Sequence, residues 1–233
     1  MSSKGMSGST AQPLKRVPGS YEAQEAREML DSTAEHSESV VRSDKPFVDL
    51  STFDNSDYNP GRGLFVRTAW YFLSLLIFES GWFPVSRIKT SLLRWFGACI
   101  GEGVVIKPHV RIKYPWRLTI GNHCWIGQDV WIDNIENVKI GSHVCVSQLV
   151  YFCTGSHDHR KQSFDLIAKP IEIGSGVWLG ARAMLLGGVS IGANAIVAAG
   201  SVVNRAVGDN EFVGGVPAKV IGQRDSAPTQ ATH

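Results

Sequence analysis

IGEGVVIKPHVRI at 100–112, IGNHCWIGQDVWI at 120–132 and IGSHVCVSQLVYF at 140–152 are three copies of one pattern; IGSGVWLGARAML at 173–185 and IGANAIVAAGSVV at 191–203 are two more. A bulky aliphatic or aromatic residue leads every sixth position: Ile100, Ile106 and Ile112; Ile120, Ile126 and Ile132; Ile140, Val146 and Phe152. The series resumes at Ile173, Leu179, Leu185, Ile191, Val197 and Val203. The interval lengthens only at 112→120, 132→140 and 152→173, each time after a third hexad.

A period of six fits neither the 3.6 of a helix nor the 2 of a long strand. It fits a prism with three flat faces, each hexad supplying one short strand and one corner. Extra residues are then tolerated at one corner of successive turns. Gly follows the lead residue at 101, 121, 141, 174 and 192, as a corner with unusual backbone angles would select. Small or medium apolar groups stand four residues after most leads, among them Val104, Cys124, Val144, Val177 and Ala195; the exceptions, Trp116, Glu136 and Ser156, sit in third hexads, where the insertions begin. The small groups fill the interior beside the leads. The expectation is an all-β parallel β-helix of about five triangular coils, about 24 Å tall at one strand spacing per coil. Each coil buries its interior only against its neighbours, so both ends need caps.

The rest of the chain divides around this domain, which spans 99–207 with a loop at 153–171. Residues 1–47 are rich in Ser, Ala, Glu and Gln and read as a disordered tail. Residues 48–98 form a helical capping segment, and 208–233 a C-terminal cap and tail. In the capping segment the apolar run from Ala69 to Phe78 is too short to span a membrane. It packs on the body, or 64–83 lies in a membrane interface. VSRIKTSLLRWFG at 85–97 places Ile88, Leu92 and Trp95 along one face.

Composition limits the function. Hydrophobic residues are 43% of 233, enough for a sizeable core, and 23 Lys and Arg against 21 Asp and Glu argue against nucleic acid as a partner. Four cysteines without a CxxC pair make no disulfide scaffold. The first residues carry no apolar signal segment, so the expected location is cytoplasmic, free or peripheral at the inner face of the membrane.

Five motifs tie the pattern to a known family: NPGRG at 59–63, RWFGACIGEGV at 94–104, CTGSHDH at 153–159, the run from Lys169 to Val203, and GGVPAKVIG at 214–222. Together they resemble the hexapeptide-repeat acyltransferases, closest to the exopolysaccharide O-acetyltransferases of the colanic-acid type. The resemblance implies a left-handed β-helix, a homotrimer with the donor cleft between columns, and acetyl-CoA as acyl donor without a metal. It implies a sugar or lipid-linked glycan as acceptor.

The site residues follow from the same motifs. O-acetylation needs a base for a weakly acidic hydroxyl, and histidine suits that task. The resemblance gives that role to His157 of TGSH, with one extra residue, Ser156, after the glycine. His159 is its competitor, and Asp158 or another carboxylate would orient the imidazole. Asp129 falls near an acceptor-contacting position of relatives, and Trp178 walls the acceptor site or packs on the loop. For the donor the resemblance points to Ala181, Ala199, Asn204 and Arg205. Gly222 stands where some relatives carry a basic residue, which Lys219 or Arg224 would replace. Two rivals remain. His123 and His143, 20 apart, should stack as in γ-class carbonic anhydrases, although Gly103 and Gly176 occupy the neighbouring places and zinc needs three ligands. The other rival is a non-catalytic β-helix scaffold.

Overall fold

The structure is a computed structural model that describes residues 47–224, together with positions 24, 27 and 28. The tail expected over 1–47 and the final residues 225–233 otherwise lie outside the described residues.

Three parallel sheets form the walls of a prism. The first stacks strands 99–100, 118–120, 138–140, 171–173 and 190–191, with Val207 bridging to Ile191. The second stacks 105–106, 125–126, 145–146, 178–179, 196–197 and 211–214, and the third 111–112, 131–133, 151–153, 184–186 and 202–203. Register is in phase throughout: Ile100 pairs with Ile120, Ile126 with Val146 and Leu185 with Val203. Every lead residue from Ile106 to Val203 is buried. So are the small groups four positions on, including Val110, Cys124, Val150 and Ala195.

The column exceeds the expected five coils by a partial sixth. Val207 continues the first wall and 211–214 the second, so the repeat runs into the segment assigned above to the cap. Strand 219–223 then returns antiparallel to 211–214 and closes the end.

The corners obey a different rule from the one expected. The glycines after the lead residues have no positive φ. They are required because coils approach closely: a Cβ on Gly121 would lie 2.6 Å from the Ser142 backbone nitrogen. The left-handed residue comes two places later, at Gly103, His123, His143, Gly176 and Asn194, with φ between +55° and +73°. The next corner repeats this at His109, Asp129, Leu149, Arg182 and Gly200. His, Asp and Asn tolerate that region better than most residues, which accounts for His123, His143 and Asp129 as corner residues.

At the open end, helix α1 (Leu64–Leu73), a following π-helical turn (Ser74–Phe78) and helix α2 (Ser86–Trp95) cover the first coil. Trp70, Phe78 and Leu93 are buried there, each contributing roughly 1.5–3 kcal/mol. The cap also satisfies the exposed strand edge: Trp70 Nε1 donates to the Ile112 carbonyl, Lys89 Nζ to that of Lys107, and the Ile106 amide to Ser86 Oγ. The buried face of α2 is Lys89, Thr90 and Leu93. Ile88 and Trp95, which share a face with Leu92, are exposed, and Leu92 is half-buried. No helix among the described residues is long and apolar enough to cross a membrane.

Candidate active site

The third corner carries the insertions, and the longest of them builds a hairpin. Strand 155–157 pairs antiparallel with 166–168, matching Ser156 to Ile167 and His157 to Leu166. Thr154, fully buried, pins its base: its hydroxyl donates to the Asp133 carbonyl at 2.8 Å and accepts from the Glu136 amide at 3.1 Å. At the tip, Arg160 grips Asp158 and Lys161 grips Asp165, and these hydrogen bonds hold both carboxyls below the usual carboxylate range.

A cavity of about 370 Å³ lies between this hairpin and the corners of the next two coils. His157, Asp158 and His159 line it on the hairpin side, Leu186 and Asn204 on the column side, with Lys169 at the strand's return.

His157 is half-buried and tightly held. Its Nδ1 lies 2.8 Å from the Phe164 carbonyl oxygen. A carbonyl can only accept, so Nδ1 carries a proton, and in the neutral ring the lone pair is on Nε2. The ring stacks on Phe164 at 4.4 Å, and Phe53 of the lead-in approaches it at 5.7 Å. The orienting group is thus a backbone carbonyl rather than Asp158 or another carboxylate. Asp158 is engaged by Arg160, while His159 is exposed beside the cavity.

The other residues singled out in the sequence fall elsewhere. Trp178 belongs to the second wall, where its indole N–H donates to Ser147 Oγ at 3.0 Å. Asp129 sits at the corner between second and third walls and takes no part in the His157 cavity. Ala181 and Ala199 share that corner one coil apart, the Gly200 amide donating to the Ala181 carbonyl. The third wall therefore runs from the Ala181/Ala199 corner to Asn204, which lines the cavity, while Arg205 beside it is exposed and not among the lining residues. Lys219 is exposed. Arg224 instead donates to the Gly176 and Asn194 carbonyls at the corner between first and second walls.

His123 and His143 do stack, with ring centroids 5.3 Å apart. No group of three potential metal ligands occurs among the described residues. Burial pushes the Cys124 and Cys145 thiols up, which suits interior fillers rather than nucleophiles. Phe164, Phe53 and Lys169 were not singled out from the sequence. Only the length of the 152→173 interval pointed to their neighbourhood.

Known proteins share this sequence pattern and fold. Residues 170–205 match the family described as bacterial transferase hexapeptide (six repeats). Over 179 residues, 76% of this chain and 97% of the relative, the sequence is 41% identical to the Escherichia coli K12 protein named as a colanic acid biosynthesis acetyltransferase, WcaF. It is 30% identical over 136 residues to the galactoside O-acetyltransferase of the same organism, covering 57% of this chain and 67% of that one. A hexapeptide-repeat-containing acetyltransferase from Vibrio cholerae, solved in complex with acetyl coenzyme A, superposes with a TM-score of 0.62 at 31% identity, over 68% of this chain and 86% of that one. The fold they share is the left-handed parallel β-helix. A relative matched along almost its whole length, on the same column of coils, makes this chain a member of the hexapeptide-repeat acetyltransferase family.

Proposed function

We propose that the protein transfers an acetyl group from acetyl-CoA to a hydroxyl of a sugar, in the assembly of an exopolysaccharide or other surface glycan. The observation that carries this reading is the tautomer of His157, fixed by the Phe164 carbonyl beside a cavity open to solvent. The names of the relatives supply the chemistry: a galactoside O-acetyltransferase and a colanic acid biosynthesis acetyltransferase.

In this mechanism Nε2 of His157 takes the proton of the acceptor hydroxyl as its oxygen attacks the thioester carbonyl carbon. A backbone N–H at a coil corner stabilises the oxyanion. When the carbon–sulfur bond breaks, the imidazolium returns its proton to the departing thiolate. The small residues Ala181 and Ala199 allow close approach of the pantetheine arm, and Arg205 and Lys219 suit the phosphates of the donor.

The active assembly is a homotrimer. Within one chain Trp178, Asp129 and the Ala181/Ala199 corner stand apart from the His157 cavity, and a neighbouring column set against it would bring such residues to one cleft. The enzyme works where its glycan is built, at the cytoplasmic face of a membrane if the acceptor is carried on a lipid.

The test is mass spectrometry of candidate glycans incubated with the protein and acetyl-CoA. The expected product is one acetyl group added on oxygen, labile to mild base, with release of one free thiol. Turnover of acetyl-CoA on none of a broad set of sugar acceptors would refute the reading.

A further inference from the structure

Besides the side chains they bury, helices α1 and α2 also present large apolar residues outward. On α1 and the π-helical turn after it, Leu64, Phe65, Tyr71, Phe72, Leu75 and Leu76 are all exposed, Phe65 at 87% and Phe72 at 64%. Leu64 and Phe65 stand seven residues before Tyr71 and Phe72, and these stand four before Leu75 and Leu76, so all share one helix face with the exposed Thr68 between them, away from the buried Trp70, Ser74 and Phe78. On α2 and the residue before it the exposed apolar side chains are Val85, Ile88 and Trp95, Trp95 at 78%. The two sets meet, because Phe65, Val66 and Ala69 of α1 and Trp95 of α2 line one groove of about 320 Å³, with Arg62 among its walls. A water-soluble surface rarely offers so many large apolar side chains in one patch without a partner.

Charge says what kind of partner. Residues 58–98 hold Arg62, Arg67, Arg87, Lys89 and Arg94 against a single acid, Glu79. Lys89 is buried, but the four arginines make no ion pair among the described residues. Trp82, Trp95 and Tyr71 are exposed, and such rings favour the level of lipid headgroups. A second copy of this face would set arginine against arginine. An anionic bilayer meets both features, taking the apolar stripe into its headgroup boundary and the arginines among its phosphates.

We propose that the α1–α2 face docks on an anionic membrane surface, lying in the interface without spanning it. The purpose rests on the reading of a lipid-carried glycan acceptor, which this face would let the enzyme meet in two dimensions. Docking itself needs no substrate, so it is measured without acetyl-CoA.

The experiment is flotation of the full chain with vesicles of phosphatidylcholine alone and of phosphatidylcholine mixed with phosphatidylglycerol. The wild type should float with the anionic vesicles and remain below with the neutral ones, and added salt should weaken binding. Phe65→Ser/Phe72→Ser/Trp95→Ser should lower partitioning by a hundredfold or more, on the order of the burial of three large side chains. Arg62→Gln and Arg87→Gln should each lower it about fivefold. Both sets should keep the circular dichroism, the mass by sedimentation and acetyl transfer to a soluble glycan. Absence of flotation, or flotation indifferent to both sets, overturns the proposal. A fall in mass in the triple variant also overturns it, since the face would then belong to a contact between copies. Loss of soluble-acceptor activity in the wild type would refute the catalytic reading and leave the vesicle result standing.

Discussion

The carbonyl oxygen of Phe164 lies 2.8 Å from Nδ1 of His157, and the rings of the same two residues stack at 4.4 Å within 5° of parallel. One residue thus sets both the tautomer and the plane of the imidazole. Phe164 does so from a left-handed backbone conformation, φ 51°, which costs a residue bearing a Cβ roughly 1–2 kcal/mol. A bulky residue kept in that region beside a cavity is the kind of local strain that gathers at functional sites.

His157→Ala should leave fold and CoA affinity nearly intact and reduce kcat by about 10²–10⁴. The residue stands on the hairpin outside the prism, so its loss costs little stability. His159→Ala should stay within about tenfold, since its ring has no proton to move in this mechanism. Measuring kcat/KM for both variants, with circular dichroism as fold control, checks the assignment. A greater loss at His159 would move the base two residues along.

Phe164→Gly should separate positioning from folding. Glycine relieves the left-handed strain and keeps the carbonyl, but it removes the stacked ring. Stability should change by less than about 1 kcal/mol, while kcat falls about tenfold to a hundredfold through misorientation of the imidazole. KM for acetyl-CoA should hardly move, and Phe164→Tyr should restore most of kcat. Equal losses in the Gly and Tyr variants would deny the ring its positioning role.

The walls of the column were legible because a triangular core demands a large apolar residue at every sixth position, and nothing else in the sequence imposes that interval. Ile106 to Val203 therefore fell into place. The partial sixth coil was not legible, since the step from Val203 to Val207 is only four residues and breaks the count, although Val207 and Val213 are again six apart. The outward stripe of α2 escaped for another reason: a helical period shows that Ile88, Leu92 and Trp95 share a face, but not whether that face meets protein. The hairpin has no period at all. Its backbone carbonyl at Phe164 leaves no trace in side-chain identity, so reading residue types offers only carboxylates for that role.

The corner rule yields a contrast between neighbours. Gly121→Ala sets a methyl 2.6 Å from the Ser142 amide nitrogen and should destabilise by about 1–3 kcal/mol. His123→Gly, two residues on, replaces a left-handed residue with the type that occupies the same corner at Gly103 and Gly176, and should stay within about 0.5 kcal/mol. Urea unfolding of both variants reads the difference. A tolerated Gly121→Ala would mean the coils have room to part.

Burial pushes the Lys89 ammonium below its ordinary pKa, while the unfolded chain holds the usual value. Between the two, the unfolded state binds more protons, so stability should rise as pH climbs toward the ordinary lysine pKa of about 10.4. Lys89→Met should remove that rise, even though it also leaves the Lys107 carbonyl without its donor. The measurement is unfolding free energy across the alkaline range for both proteins. Parallel curves would show that the rise comes from another group.

Mixed trimers test whether the cleft is shared. His157 lies at the corner between third and first walls, and Ala199 at the corner between second and third, so one chain holds them at opposite edges of a wall. A donor bound between columns would use His157 of one chain and the Ala199 corner of its neighbour. His157→Ala removes the base and Ala199→Trp fills the donor corner, so each homotrimer should be inactive. After denaturation and joint refolding in equal amounts, about a quarter of the clefts should pair an intact His157 with an intact corner, following from random assembly around a threefold axis. Activity should recover toward a quarter of wild type, and only after subunits have been allowed to exchange. Simple mixing without exchange serves as the control. If the refolded mixture turns over no faster than its separate components, with trimers present by sedimentation, the cleft is built within one chain.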